Sequence, residues 1–170
     1  MHEKDNIHFT SIVPLRIKGM QPITSILVPT DFSLHAIKAL DYAKEWAKQW
    51  SATIHLIHVI EPVIFPIDWG YTPVDLSDVE KEYGNAAEIE LRKTVESLHN
   101  EGYSVIPQII HGSRSSDEII QYAKEHRISI ICIATNGRGG MEHFLLGSTT
   151  ERVVRKAPCP VLVIRPNATS

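Results

Sequence analysis

The sequence predicts a doubly wound α/β fold, a five-stranded parallel sheet with helices on both faces, and three observations carry that expectation. Apolar strand-like runs alternate with helix-like stretches from Ser25 to Ile164. Runs such as Ile128-Ser129-Ile130-Ile131-Cys132-Ile133-Ala134 are apolar almost throughout, as strands are when helices cover both of their faces. Repetition of strand, helix and parallel strand then requires right-handed crossovers and a layered sheet.

In order, the first strand is Ile26-Leu27-Val28, followed by a helix from Ser33 to Trp50. That helix carries Leu40, Ala43, Ala47 and Trp50 at helical spacing, which gives it one buried face, and Ser33 is suited to cap its start. A second strand spans Thr53 to Ile60, and a loop and a helix ending near Asn100 follow. Then come a strand from Tyr103 to Ile110, a helix from about Ser116 to His126, a strand from Ile128 to Thr135, a helix from Ser148 to Lys156 and a last strand Val161 to Ile164. Residues 61 to 76 hold three prolines and several aromatics; they read as a packed surface loop or a functional lid. Residues 1 to 22 read as an N-terminal extension with a possible short strand from His8 to Ile17, and residues 23 to 167 as one domain.

With 170 residues, 43% hydrophobic and 22% charged, the chain can bury a core without metals or disulfides. A net charge of -3 supplies no basic field for a phosphate backbone, so nucleic acid is not an expected partner. Apolar runs fall short of the roughly 20 residues that span a bilayer, and the charged first 24 residues do not read as a secretory signal. The expected setting is the cytoplasm, without membrane attachment. Cys132 sits in an apolar run and Cys159 between prolines, which suits reduced packing residues rather than zinc ligands. His55 and His58, three apart on a strand, face opposite sides and cannot chelate together. No metal site is assigned.

Ligands of open parallel sheets sit beyond the carboxyl ends of the strands, where the strand order reverses. The first strand ends in Pro29-Thr30-Asp31-Phe32-Ser33, which puts a hydroxyl and a carboxylate there for a base or a sugar. Asp31 and Ser33 serve equally well as the start of the next helix. The fourth strand ends in Ala134-Thr135-Asn136-Gly137-Arg138-Gly139-Gly140, and a helix opens at Gly147-Ser148-Thr149-Thr150-Glu151. Glycines permit close backbone approach and a helix start offers N–H groups and a positive dipole end, so the pair suits a phosphate. Ser148 and Glu151 also fit a capping box, with Ser148 as N-cap, which defines the helix start with or without a ligand. P-loop and dinucleotide fingerprints are absent.

The stretch from Ala134 to Ser148, then Glu151-Arg152-Val153 and Ala157-Pro158-Cys159-Pro160-Val161-Leu162-Val163-Ile164, resembles the universal stress protein family. Ile26 to Ser33 and Leu56-Ile57-His58-Val59 are similar to it as well, so the resemblance covers about residues 23 to 166. ATP-binding members carry glycine, two residues, glycine, nine residues, glycine, then Ser or Thr. Here Gly137 is the second glycine and Gly147-Ser148 closes the pattern, while Ala134 replaces the first glycine and Asn136 stands where His is frequent. The resemblance implies an adenine nucleotide alpha hydrolase-like sheet of order 3-2-1-4-5. It implies Pro29, Thr30 and Asp31 on the adenosine side and Val59 at the adenine. Gly137, Gly147, Ser148 and Thr149 would hold the phosphates, Arg138 would add a charge, and Ala134, Gly140 and Thr150 belong to the same nucleotide site.

The function expected is a dimeric regulator that binds ATP or AMP, with Mg²⁺ leaning on the phosphates and slow ATP hydrolysis at most. The alternative is an interaction adaptor of the same fold without a nucleotide, which Ala134 favours. In the 3-2-1-4-5 order the apolar strand Val161 to Ile164 is an edge, and pairing with its copy in a homodimer would cover it. A downstream protein partner is expected but not named by the sequence.

Overall fold

A computed structural model of the chain describes residues 22–62, 77–135 and 146–165. The possible strand between His8 and Ile17, residues 63–76 of the long connection, and Gly137, Arg138 and Gly140 lie outside these residues. The elements are β1 Ser25–Pro29, α1 Leu34–Trp50, β2 Thr53–Ile60, α2 Ser77–Asn100, β3 Val105–His111, α3 Ser115–Glu125, β4 Ile130–Ala134, α4 Ser148–Lys156 and β5 Val161–Ile164. The five strands form one parallel sheet in the order β3-β2-β1-β4-β5.

The continuous apolar runs bury both sides of the sheet. On one face Ile26, Val28, Ile54, Leu56, Ile130 and Cys132 pack against Ala39, Leu40 and Ala43 of α1 and Leu91, Val95 and Leu98 of α2. On the other, Leu27, Ile57, Ile131 and Ile133 meet Ile119 and Tyr122 of α3 and Val153 of α4. The small alanine face of α1 lets the helix lie so close that the Cys132 thiol donates to the Ala39 carbonyl at 3.2 Å; burial pushes that thiol up to about 12.

Three helices end the same way, in a Schellman turn. Ser51, Gly102 and Arg127 take positive φ of 53°, 88° and 49° after the last turns of α1, α2 and α3. The following amides reach back five residues, Ala52 to Ala47, Tyr103 to Leu98 and Ile128 to Ala123, each at 3.0 Å. Tyr103 and Ile128 are therefore the closing residues of helix ends, and β3 and β4 begin two residues later than their apolar patterns predict.

At the start of the sheet, Ser129 clasps β1 to β4. Its Oγ accepts from the amides of Thr24 and Ser25 at 3.1 and 3.3 Å, and its own amide donates to Ser25 Oγ at 3.0 Å. His55 and His58 do face opposite sides. The His55 Nδ1 is 3.0 Å from the Tyr122 hydroxyl of α3, whereas His58 packs on Phe32 at 4.7 Å between ring centroids.

Candidate functional site

β1 ends at Pro29, and the next four residues make a tight turn built from their own side chains. The Phe32 amide donates to Thr30 Oγ1 and the Ser33 amide to Asp31 Oδ1, both at 3.0 Å. Ser33 Oγ then accepts from Ala36 at 3.2 Å and caps α1. Phe32 pays for its place in this turn with a φ of 61°, a conformation that costs a bulky side chain on the order of 1–3 kcal/mol. Contacts from β2 hold it there. The Thr30 amide donates to the Ile57 carbonyl at 2.8 Å, and His58 Nδ1–H donates to the Thr30 carbonyl at 2.7 Å. Because a carbonyl only accepts, that bond assigns the proton to Nδ1. His58 is 3% exposed, so it is a post within the wall rather than a surface group.

The opposite wall comes from β4 and α4. The Gly147 amide donates to the Thr135 carbonyl at 2.8 Å, and the Glu151 amide donates to the Gly147 carbonyl at 2.9 Å. Gly147 thus closes the first helical bond and is the N-cap of α4, with no side chain capping it. This corrects the expected capping box: Ser148 is the first helical residue, because the tie to Thr135 fixes the chain one residue earlier, and Glu151 lies 3.6 Å from Arg155 in an ion pair. Thr150, 4% exposed, anchors the first turn by donating its hydroxyl to the Ala134 carbonyl at 2.8 Å.

Between the walls lies a cavity of about 250 Å³ at the carboxyl ends of β1, β2 and β4. Pro29, Thr30, Asp31, Val59, Ala134, Thr149 and Thr150, seven of the expected site residues, line it together. Ser148 does not; it lines a neighbouring hollow of about 390 Å³ with Glu151, Arg152, Arg155 and Lys156. Gly147, the helix cap, is in the lining of neither.

The cavity also takes in His58 and Ser115, which sequence reasoning left out. His58 was findable from its place beside Val59 at the carboxyl end of a strand. Ser115 carried a weaker signal, as the first residue of a helix that opens beyond β3. Its amide and hydroxyl both donate to Glu61 Oε1, at 2.5 and 2.6 Å.

A hydroxyl and a carboxylate at one wall, uncapped helix-start amides at the other and an apolar floor of Ile57 and Ile133 suit a small anion with a flat apolar part. Among the described residues, no three His, Cys, Asp or Glu side chains group as metal ligands, and no helix is long and apolar enough to cross a membrane.

Comparison with known proteins agrees with this architecture. The model of the universal stress protein family matches residues 22–165. A universal stress protein of Methanocaldococcus jannaschii is 31% identical over 143 residues, covering 82% of this chain and 81% of that protein. Universal stress protein YxiE of Bacillus subtilis is 29% identical over 147 residues, covering 82% and 97%. Among solved structures, UspA from Lactobacillus plantarum superposes with a TM-score of 0.71 at 28% identity, over 85% of this chain and 99% of that one. The sheet order, the strand-end cavity and the match across residues 22–165 together make this chain a member of the universal stress protein family.

Proposed function

We propose that this chain binds an adenine nucleotide, ATP or AMP, in the cavity between the β1 turn and the first turn of α4, and acts as a nucleotide-responsive regulator. The observation that carries the reading is the convergence of Thr30, Asp31 and Val59 with Thr149 and Thr150 around one hollow of about 250 Å³. The base would lie toward Val59 and the phosphates toward the α4 amides, where the helix dipole favours negative charge. Gly137, Arg138 and Gly140 would complete the phosphate end, and Mg²⁺ would ride on the phosphates. Solved universal stress proteins of this fold hold cAMP in one case and, in one from Archaeoglobus fulgidus, dAMP; the reading for this chain rests on its own cavity.

The working unit we propose is a homodimer joined through β5. This strand is outermost, and its Val161, Leu162 and Val163 are half-buried within one chain. A two-fold copy would satisfy the free edge. The domain proposed is residues 23–167, with 1–22 as an extension, in a cytoplasmic protein whose downstream partner is a protein.

One observation favours a second reading, an adaptor without nucleotide: Ala134 brings a Cβ into the cavity wall where the nucleotide-binding pattern has glycine. Calorimetric titration with ATP, ADP and AMP separates the two. The nucleotide reading expects micromolar binding, about -8 kcal/mol, weakened at least tenfold by Asp31→Asn and by Gly137→Val. Heat-silent titrations with all three nucleotides, repeated by equilibrium dialysis without uptake, would transfer the chain to the adaptor reading.

A further inference from the structure

One outer strand of the sheet is covered on a single side. β3 stands at the end of the sheet, and its Val105 and Ile109 turn toward the core beneath α2. Ile106, Gln108 and Ile110 lie beside His55, Ile57 and Val59 of β2 in parallel register. Neighbours in register share a face, and on that face His55 meets Tyr122 of α3 while Ile57 joins the core beneath the helix. The packing partners of α3 are β2 and α4. One strand farther out, Ile106 is 45% exposed and Gln108 is exposed as well, so this side of β3 has no helix over it among the described residues.

The two borders of the open strip differ. Outward is the free edge of β3. The Ser104 carbonyl and the Gly112 amide bond β2, so the odd-numbered residues between them turn their backbone groups outward. One of these is Pro107, which has no N–H to give. The edge therefore serves an added strand poorly, whereas the face stays open. Inward is the flank of α3. Glu118 leans over Gly112, just past β3, and Glu125, seven positions on, lies along the same side of the helix. His126 meets His55 with ring centroids 5.9 Å apart, which sets the end of α3, and Glu125 with it, at the level of Ile106. Ile106 and Ile110 give the strip an apolar floor, and its inner side is acidic.

A segment of the same chain has the complementary pattern. Ile12-Val13-Pro14-Leu15-Arg16-Ile17-Lys18 is apolar with two cations, and its last four residues alternate between the two kinds. Pro22, the first described residue, precedes β1 by three positions. β1 and β3 are two strand spacings apart, about 10 Å. Ser25 pairs with Thr53, and Ile54 with Val105, so Ile106 lies two residues higher in the sheet than Ser25 and five higher than Pro22, about 17 Å along the strands. The two offsets combine to about 20 Å, and the seven residues from Leu15 to Pro22 reach about 23–25 Å when extended. Leu15 can thus sit on Ile106, with the long side chain of Arg16 beside Glu125.

We propose that residues 12–18 of this chain dock on the open face of β3, Leu15 on Ile106 and Arg16 toward Glu125. The segment buries its own apolar side chains while covering those of the strand, and the opposite charges fix its placement.

Disulfide trapping in the full-length protein tests the contact. Cys132 is buried, and Cys159 is replaced by serine. The pair Leu15→Cys and Ile106→Cys is equilibrated in a glutathione buffer and compared with Leu15→Cys and Gln49→Cys, whose second cysteine lies exposed near the end of α1 on the other face. Docking gives the first pair an effective concentration at least about tenfold above the control, and Glu125→Lys lowers it toward the control. Equal trapping of the two pairs overturns the proposal, and so does a bond formed between two molecules rather than within one. Urea unfolding supplies a second reading without cysteines. Leu15→Asp should lower the midpoint of the otherwise native chain and have little effect beside Ile106→Asp. A midpoint that ignores Leu15→Asp means that no segment is docked, and the proposal falls.

Discussion

Replacing Thr150 by valine removes one oxygen and almost nothing else. The hydroxyl donates to the Ala134 carbonyl at 2.8 Å, and the residue is 4% exposed. Valine keeps the branched shape while leaving that carbonyl without this donor. The loss of one partner of a buried hydrogen bond costs about 1–3 kcal/mol, and for a domain of this size each kcal/mol lowers Tm by about 2–4 °C. Thr150→Val should therefore melt about 2–12 °C below wild type. Thr150→Ser restores the donor and should recover most of the difference. Thermal unfolding by circular dichroism measures the stability, and AMP titration measures the site, because the same bond sets the distance between the end of β4 and the first turn of α4. Equal melting of wild type and Thr150→Val, or a loss in Thr150→Ser as large as in Thr150→Val, would refute the idea that this hydroxyl anchors α4.

The remaining predictions concern stability. His55 is held below its ordinary 6.5, first by burial and then by the nearby His126, so the unfolded chain takes up the proton more readily than the folded one. Its contribution is fully present above about pH 6.5 and is lost as pH falls through that value toward the lowered native one, with a slope of at most about 1.4 kcal/mol per pH unit for one proton; urea unfolding from pH 7.5 to 5 should show this, and His55→Gln should flatten it. Ser51 holds φ at 53° beyond the last turn of α1, where glycine is at ease, so Ser51→Gly should raise stability by about 0.5–1 kcal/mol; a loss in chemical denaturation would contradict the Schellman account.

The strands were legible because burial on both faces writes itself as an unbroken apolar run. β2, β5 and α4 were read with their observed limits, and the sheet order followed from the family resemblance. The late starts of β3 and β4 have one physical cause. Tyr103 and Ile128 are apolar and adjoin strands, but their amides close the ends of α2 and α3, and a pattern of hydrophobicity cannot distinguish a residue that covers a helix end from one that begins a strand. The cap of α4 was misread because Ser-Thr-Thr-Glu is a sound local signal, while the tie from Gly147 to Thr135 is not local. Thr30 and Asp31 announced themselves by following the end of a strand, whereas Val59 came from the family resemblance. The bond from Ser115 to Glu61 spans 54 positions and exists only once β2 and α3 are packed, so no motif carried it.

The clasp between Ser25 and Ser129 joins segments 104 residues apart, and it has a consequence for when the cavity can exist. Pro29 through Ile119 supply every part of the lining except Ile133, Ala134, Thr149 and Thr150. As the chain emerges from synthesis, β1 can already lie beside β2 while its other edge is bare, and loop closure over so long an interval brings in β4 only afterward. A chain interrupted after α3 would hold the turn, the β2 wall and the α3 residues of the lining, but not Ile133, Ala134, Thr149 and Thr150. The lining is thus complete only once the chain has been made through α4.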